Sequence, residues 1–163
     1  MEKFHNVLFL CTGNSARSIM AEAIVNAKGR PLFHGHSAGS HPSGRVRPEA
    51  LAQIASAGLP VEGFRSKSWD EFAAPGAPRM DFVFTVCDSA ASEVCPVWPG
   101  QPMTAHWGVA DPTAEQGTPE QIARAFREAF VILDRRISLF LSLPHPTMSA
   151  MAIKNEIDRI GRQ

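Results

Sequence analysis

The chain has 163 residues, 44% of them hydrophobic and 20% charged, enough for one ordinary globular domain with a real core and unlike a disordered or fibrous protein. Sixteen Lys and Arg balance sixteen Asp and Glu, so the whole molecule carries no electrostatic pull toward nucleic acid or an anionic membrane. Apolar runs such as 7–10 and 130–133 fall far short of the roughly 20 residues that span a bilayer, and the N-terminus lacks the apolar region and cleavage site of a signal peptide. A cytoplasmic location is therefore expected. Three cysteines, an odd number in a reducing compartment, point to thiol chemistry or inert burial and away from a disulfide framework.

Asn6-Val7-Leu8-Phe9-Leu10 reads as a strand buried on both faces that runs into the loop Cys11-Thr12-Gly13-Asn14. Ile19, Met20, Ala23, Ile24 and Ala27 then recur at helical spacing until Gly29-Arg30-Pro31. A second strand is expected near 32–37, and Pro48 opens a helix carrying Leu51, Ile54 and Ala55, with Gly58 suited to its C-terminal cap. Strands follow at 82–86 and 103–107. Thr118-Pro119-Glu120-Gln121 has capping-box spacing and starts a long helix whose stripe is Ile122, Phe126, Phe130, Leu133, Ile137 and Leu141, ended by Pro144-His145-Pro146. Met151, Ile153, Ile157 and Ile160 make the C-terminal extension, 145–163, helical. Alternating strands and helices imply a single α/β domain over 1–163, a three-layer α/β/α sandwich on a parallel four-stranded sheet. Ligands bind such folds beyond the carboxyl ends of the strands, where Cys11, Cys87 and the Asp111 loop would gather.

Between the first strand and helix sits Cys11-Thr12-Gly13-Asn14-Ser15-Ala16-Arg17-Ser18. A loop of small residues can curl so that successive peptide N–H groups face inward, and a helix N-terminus behind it completes a cradle for a tetrahedral oxyanion. Arg17 adds a permanently charged, bidentate fork. The same field favours the thiolate of Cys11, and Ser18 is placed to give its sulfur a hydrogen bond. The bland alternative is a small buried residue at a strand end beside an exposed arginine. The loop is not a nucleotide-binding one, since no Gly-Lys-Ser/Thr follows.

This loop, with Ser37-Ala38-Gly39-Ser40 and Asp111-Pro112, resembles the low-molecular-weight protein tyrosine phosphatase family. Thr85-Val86-Cys87-Asp88, Cys95-Pro96-Val97-Trp98-Pro99-Gly100 and His106-Trp107 resemble its arsenate reductase branch, of the thioredoxin-coupled type. The resemblance covers roughly residues 5 to 143. It implies that Cys11 attacks arsenate, that Cys87 attacks Cys11 to expel arsenite, and that Cys95 then attacks Cys87. A Cys87–Cys95 disulfide would then be reduced by thioredoxin or glutaredoxin, with phosphate or sulfate as competing anions and no cofactor. The two cysteines are eight residues apart, which on a continuous helix is about 12 Å, so a bond needing roughly 5.5 Å between α-carbons requires that segment to be looped or to unwind. The resemblance makes Asp111 the general acid that protonates a leaving oxygen. It also connects the positions of Asn14, Glu22 and Ser37 with a potassium ion in some members, although the aspartate completing that site has no counterpart around Phe64-Arg65-Ser66.

Other groups are less specific. Glu22 reads equally as a surface charge, and His34 and His36, two histidines without a third ligand, read as ordinary polar side chains and not as a metal site. Arg45, Arg47, Arg65 and Lys67 would either steer anions into the cradle or form a solvated surface. The competing activities are hydrolysis of phosphotyrosine or other phosphomonoesters and anion binding without turnover. Hydrolysis leaves Cys87 and Cys95 without a purpose, and the chain has no Tyr to wall a phosphotyrosine pocket.

Overall fold

A computed structural model describes residues 4–87, 98 and 101–163. Among them, β1 (His5–Leu10), β2 (Phe33–Ala38), β3 (Phe82–Thr85) and β4 (Met103–His106) form a wholly parallel sheet in the order β2-β1-β3-β4. The central strand β1 must be covered on both faces. Val7 and Phe9 point to one side and Leu8 and Leu10 to the other, and all four are fully buried.

The Val7 and Phe9 face carries the larger core, built with α1 (Arg17–Lys28), α2 (Pro48–Ser56), α4 (Pro119–Leu141) and α5 (Ala150–Gly161). The opposite face is covered by α3 (Asp70–Ala73), whose Phe72 packs with Met80 and Trp98 on Leu8 and Leu10. This is the expected α/β/α sandwich. Four-residue α3 was not anticipated because one inward residue, Phe72, makes no period.

The capping box at Thr118 is formed in both directions, Thr118 Oγ1 accepting from Gln121 N and Gln121 Oε1 accepting from Thr118 N. The stripe of α4 is buried at Phe126, Phe130, Leu133 and Ile137 and frays to partly buried Ile122 and Leu141. The helix stops at Leu141, before the proline pair, and Phe140 joins the stripe by setting its ring edge-on to Phe33, Phe82 and Phe84. In α1, Ala27 faces solvent and Val25 is buried. Helix α5 buries Ile153, Ile157 and Ile160 against β4 and α4, whereas Met151 is exposed.

Burial, with His34, Lys67 and Arg30 nearby, lowers the pKa of His36 in β2 from 6.5 to about 4. The unfolded chain therefore takes this proton first. The neutral ring stabilises the fold fully above pH 6.5, and that contribution is lost as pH falls toward 4. His36→Gln should remove about 2 kcal/mol of the stability lost over that range, read as the difference between the two proteins' urea midpoints at each pH.

Candidate active site

The loop after β1 is shaped from outside. Thr12 O accepts from His41 N (2.9 Å), Gly13 O from Ser43 N (3.0 Å) and Ser66 Oγ (3.1 Å), and Ser15 O from Arg47 N (2.9 Å). In a trans peptide the next N–H points opposite to the carbonyl, so turning these three outward turns the N–H groups of Gly13, Asn14 and Ala16 toward the concavity. Asn14 is left-handed (φ 46°), fully buried, and locked by Nδ2 donating to Ser18 Oγ and Oδ1 accepting from Lys67 N, both at 2.8 Å. Behind the loop, Gly39 pairs with the short backing strand 67–69, donating to Lys67 O and accepting from Trp69 N (both 2.9 Å), and as a glycine it lets this backing strand come close, since a Cβ there would clash with Thr12 O. No side chain among the described residues caps the N-terminus of α1 behind the loop, which leaves its first N–H groups for an anion.

A cavity of about 210 Å³ opens over the loop, lined by Cys11, Thr12, Gly13, Ser15, Ala16, Arg17, Cys87, Asp111 and Thr113. Arg17 donates from Nη1 to Val109 O (2.8 Å) and sets Nη2 3.6 Å from Asp111 Oδ2. Asp111 Oδ1 accepts from both Thr113 N (2.9 Å) and Thr113 Oγ1 (2.6 Å), which fixes the carboxyl at the rim of the cavity. Cys87 is buried at the end of β3 and accepts from Thr12 N at 3.3 Å. Cys11, Thr12, Gly13, Ser15, Ala16, Arg17, Cys87 and Asp111 thus line one cavity, while Asn14 and Ser18 are buried, Ser18 Oγ accepting from Asn14 and keeping its own hydroxyl proton to donate. Cys95 lies outside the described residues.

One electrostatic expectation is corrected. The hydrogen bond with Cys87 and burial push the Cys11 thiol up, against the lowering by Arg17 and by the Gly13 N–H. The loop supplies the thiolate-favouring field, but a neighbouring sulfur outweighs it. Spacing alone could not reveal that contact.

The model of the family described as low molecular weight phosphotyrosine protein phosphatase matches residues 6–151. The chain belongs to that family. It is similar to the arsenate reductase of Halalkalibacterium halodurans, 34% identical over 82% of this chain and 93% of that one. Among solved structures it is similar to an arsenate reductase in the phosphate binding state, with TM-score 0.70 and 25% identity over 85% of this chain and 98% of that one. It is also similar to the arsenate reductase of Archaeoglobus fulgidus, with TM-score 0.60 and 26% identity over 81% of this chain and 98% of that one.

Against the potassium-binding members of this family, the cluster differs in a defined way. Glu22 is largely buried and accepts from Ser37 Oγ at 2.5 Å, so it is no surface charge. Lys67, 8% exposed, places Nζ 4.0 Å from Glu22 Oε1 and donates to Arg65 O. Burial raises the pKa of Glu22 and lowers that of Lys67, each partly offset by the other's charge. The residues present do not fit a potassium ion, because the cluster contains its own cation. Sequence reading missed this, since Lys67 stands near Arg65 among polar residues and nothing local marks it as buried.

The other basic residues form no free collar. Arg47 pairs with Glu49 and Arg65 with Glu71, and both Arg45 and Arg65 are exposed. His36 bonds to Asn6 Oδ1 and His34 stacks on Phe4. Val109 O and Thr113, which hold Arg17 and Asp111, were also missed; a backbone acceptor leaves no sequence signal.

Lys67→Met would leave the Glu22 carboxylate buried without its cation. The variant should lose about 3 kcal/mol in urea unfolding at neutral pH. The loss should shrink in acid, because a raised carboxyl pKa means that the fold prefers the neutral acid. Exchanging KCl for NaCl should leave the wild-type stability unchanged.

Proposed function

We propose that this chain reduces arsenate to arsenite by a thiol relay, the reading best supported by one observation: Cys87 lines the same small cavity as Cys11, its sulfur accepting from the cradle's Thr12 N at 3.3 Å. An arsenate seated on the inward N–H groups and Arg17 presents arsenic to Cys11. Formation of the S–As bond expels one oxygen, which Asp111 protonates so that it leaves as water. Cys87 then attacks Cys11 Sγ. The S–As electron pair passes to arsenic, which leaves as arsenite, reduced from the pentavalent to the trivalent state, while the two sulfurs are oxidised to a disulfide. Cys95 exchanges into that disulfide at Cys87, and Cys11 leaves as the thiolate. A dithiol protein of the thioredoxin or glutaredoxin class supplies two electrons to the Cys87–Cys95 bond and restores the enzyme.

The relatives support this reading by their names, and the phosphate-bound one by its ligand, a tetrahedral oxyanion of the same shape and charge. No helix among the described residues is long and apolar enough to cross a membrane. The second reading, phosphomonoester hydrolysis, shares the cradle and Asp111 and gives Cys87 no part.

The test is arsenate-dependent NADPH oxidation with thioredoxin and thioredoxin reductase, beside p-nitrophenyl phosphate hydrolysis. Cys87→Ser should abolish NADPH oxidation and leave hydrolysis within about threefold. Cys95→Ser should release a single arsenite per protein and stop, because the relay halts at the first disulfide. Asp111→Asn should slow turnover by about 10²-fold or more. Hydrolysis without arsenate-dependent oxidation, with a glutaredoxin–glutathione donor as well, overturns the reading.

A further inference from the structure

We propose that Arg136, on α4, and the C-terminal helix α5 position the oxyanion-binding Arg17 from behind, by clamping the turn 107–109 between them. The inference deepens the reading of Arg17 given above and rests on it. Arg17 is aimed by one bond outside the cradle, Nη1 to Val109 O at 2.8 Å. That carbonyl is fixed only if residues 107–109 are fixed. Val109 N donates to Val86 O (3.0 Å) and Trp107 N to Thr85 O (2.7 Å), which extends the end of β3 along this segment. The carbonyl between them, Gly108 O, accepts from Arg136 Nη1 at 3.0 Å, and Arg136 Nη2 donates to Gln163 O at 2.9 Å. Consecutive carbonyls thus meet two arginines, Gly108 O held by Arg136 and Val109 O by Arg17.

Helix α5 completes the clamp. The fully buried Trp107 stacks on Phe84 with ring centroids 3.9 Å apart and donates its indole N–H to Ile157 O at 2.9 Å. Gly161 lies so close that a Cβ there would be 2.4 Å from His106 O and 2.7 Å from Trp107 Cδ1, so the helix can seat only without a side chain at that position. Arg136 is 8% exposed, donates to the Gly108 carbonyl and to an oxygen of Gln163, and keeps its Nε buried with no partner among the described residues. A guanidinium held inside on such terms is costly to bury. What that cost secures is a fixed distance between the chain's C-terminal segment and the turn that carries Arg17's acceptor.

A positioning role and a structural one give different results. Arg136→Met removes both donors and should raise the dissociation constant for inorganic phosphate, measured by calorimetry, about tenfold, well short of the 10²-fold that a 1 Å misplacement can cost. The arsenate KM should rise by the same factor with kcat changed less than threefold. Arg136→Lys, which can still reach one carbonyl, should restore both to within about threefold of wild type. Gly161→Ala, which wedges α5 away from His106, should weaken phosphate binding in the same direction. Lowered thermal stability with unchanged phosphate affinity and KM overturns the proposal and leaves Arg136 a structural prop. Should Arg136→Met fail to fold, Arg136→Lys and Gly161→Ala decide, and unchanged phosphate affinity in both overturns it. Phosphate affinity does not depend on reduction, so a wild type that binds phosphate and reduces no arsenate sinks the relay and leaves this inference standing. A wild type that binds no phosphate overturns it.

Discussion

The site depends on where three carbonyls point. A loop of small residues is not by itself an anion cradle; its peptides are free to rotate, and half of their dipoles would repel an anion. Here Thr12, Gly13 and Ser15 have their carbonyls taken by donors from 41–47 and 66, so the N–H groups that follow are committed to the inside before any anion arrives. Such preorganisation is what makes backbone dipoles effective in binding charge, since no reorientation remains to be done. Gly39 is the condition for it, because it admits the backing strand to within contact of the loop.

The backing strand in turn needs Lys67. Its backbone N–H holds Asn14 in the left-handed conformation, and its side chain neutralises Glu22, which is buried beneath the loop. One residue thereby links the loop's geometry to the charge balance under it. Where a diffusible cation would have to be bound and desolvated, a lysine delivers the charge covalently attached, at the cost of burying an ammonium.

Sequence reading marked the loop after the first strand, the carboxyl edge of the strands as the place for a ligand, and the start of the long helix, because each has a local signature. The apolar run 6–10 marks a strand covered on both sides, and the cap at Thr118 uses residues three apart. What it missed was decided by tertiary neighbours. Lys67 looks like its basic companions until the fold buries it. Val109 acts through a carbonyl that every residue has. Arg136 sits in the pair Arg135-Arg136 on a helix whose partner, Arg135, faces solvent, and only the packing of α5 separates the two. The fold was legible because periodicity is local, whereas the second layer of the site was not, because it is built from contacts between residues 27 to 92 apart.

The protonation of Cys11 shows the same distinction operating on chemistry. The loop, the helix end and Arg17 argue for a thiolate, and each contribution is present with the expected sign. The opposing influence is the contact with Cys87, which together with burial pushes the Cys11 pKa up, toward the thiol. On the relay reading this contact has two uses. Cys87 lines the same cavity that an oxyanion must enter, so an anion lying over Cys11 would displace it from that hydrogen bond and bring acceptor oxygens to the proton. The largest influence holding Cys11 as a thiol would then be gone, with Arg17 and the Gly13 N–H left to favour the thiolate. Activation would follow binding and not precede it, which protects a buried, otherwise oxidisable thiol. After the first transfer Cys87, whose sulfur Thr12 holds at 3.3 Å in the same cavity, is the thiol at hand for the new S–As bond. The arrangement that keeps the first thiol quiet is therefore also the one that makes the second step short.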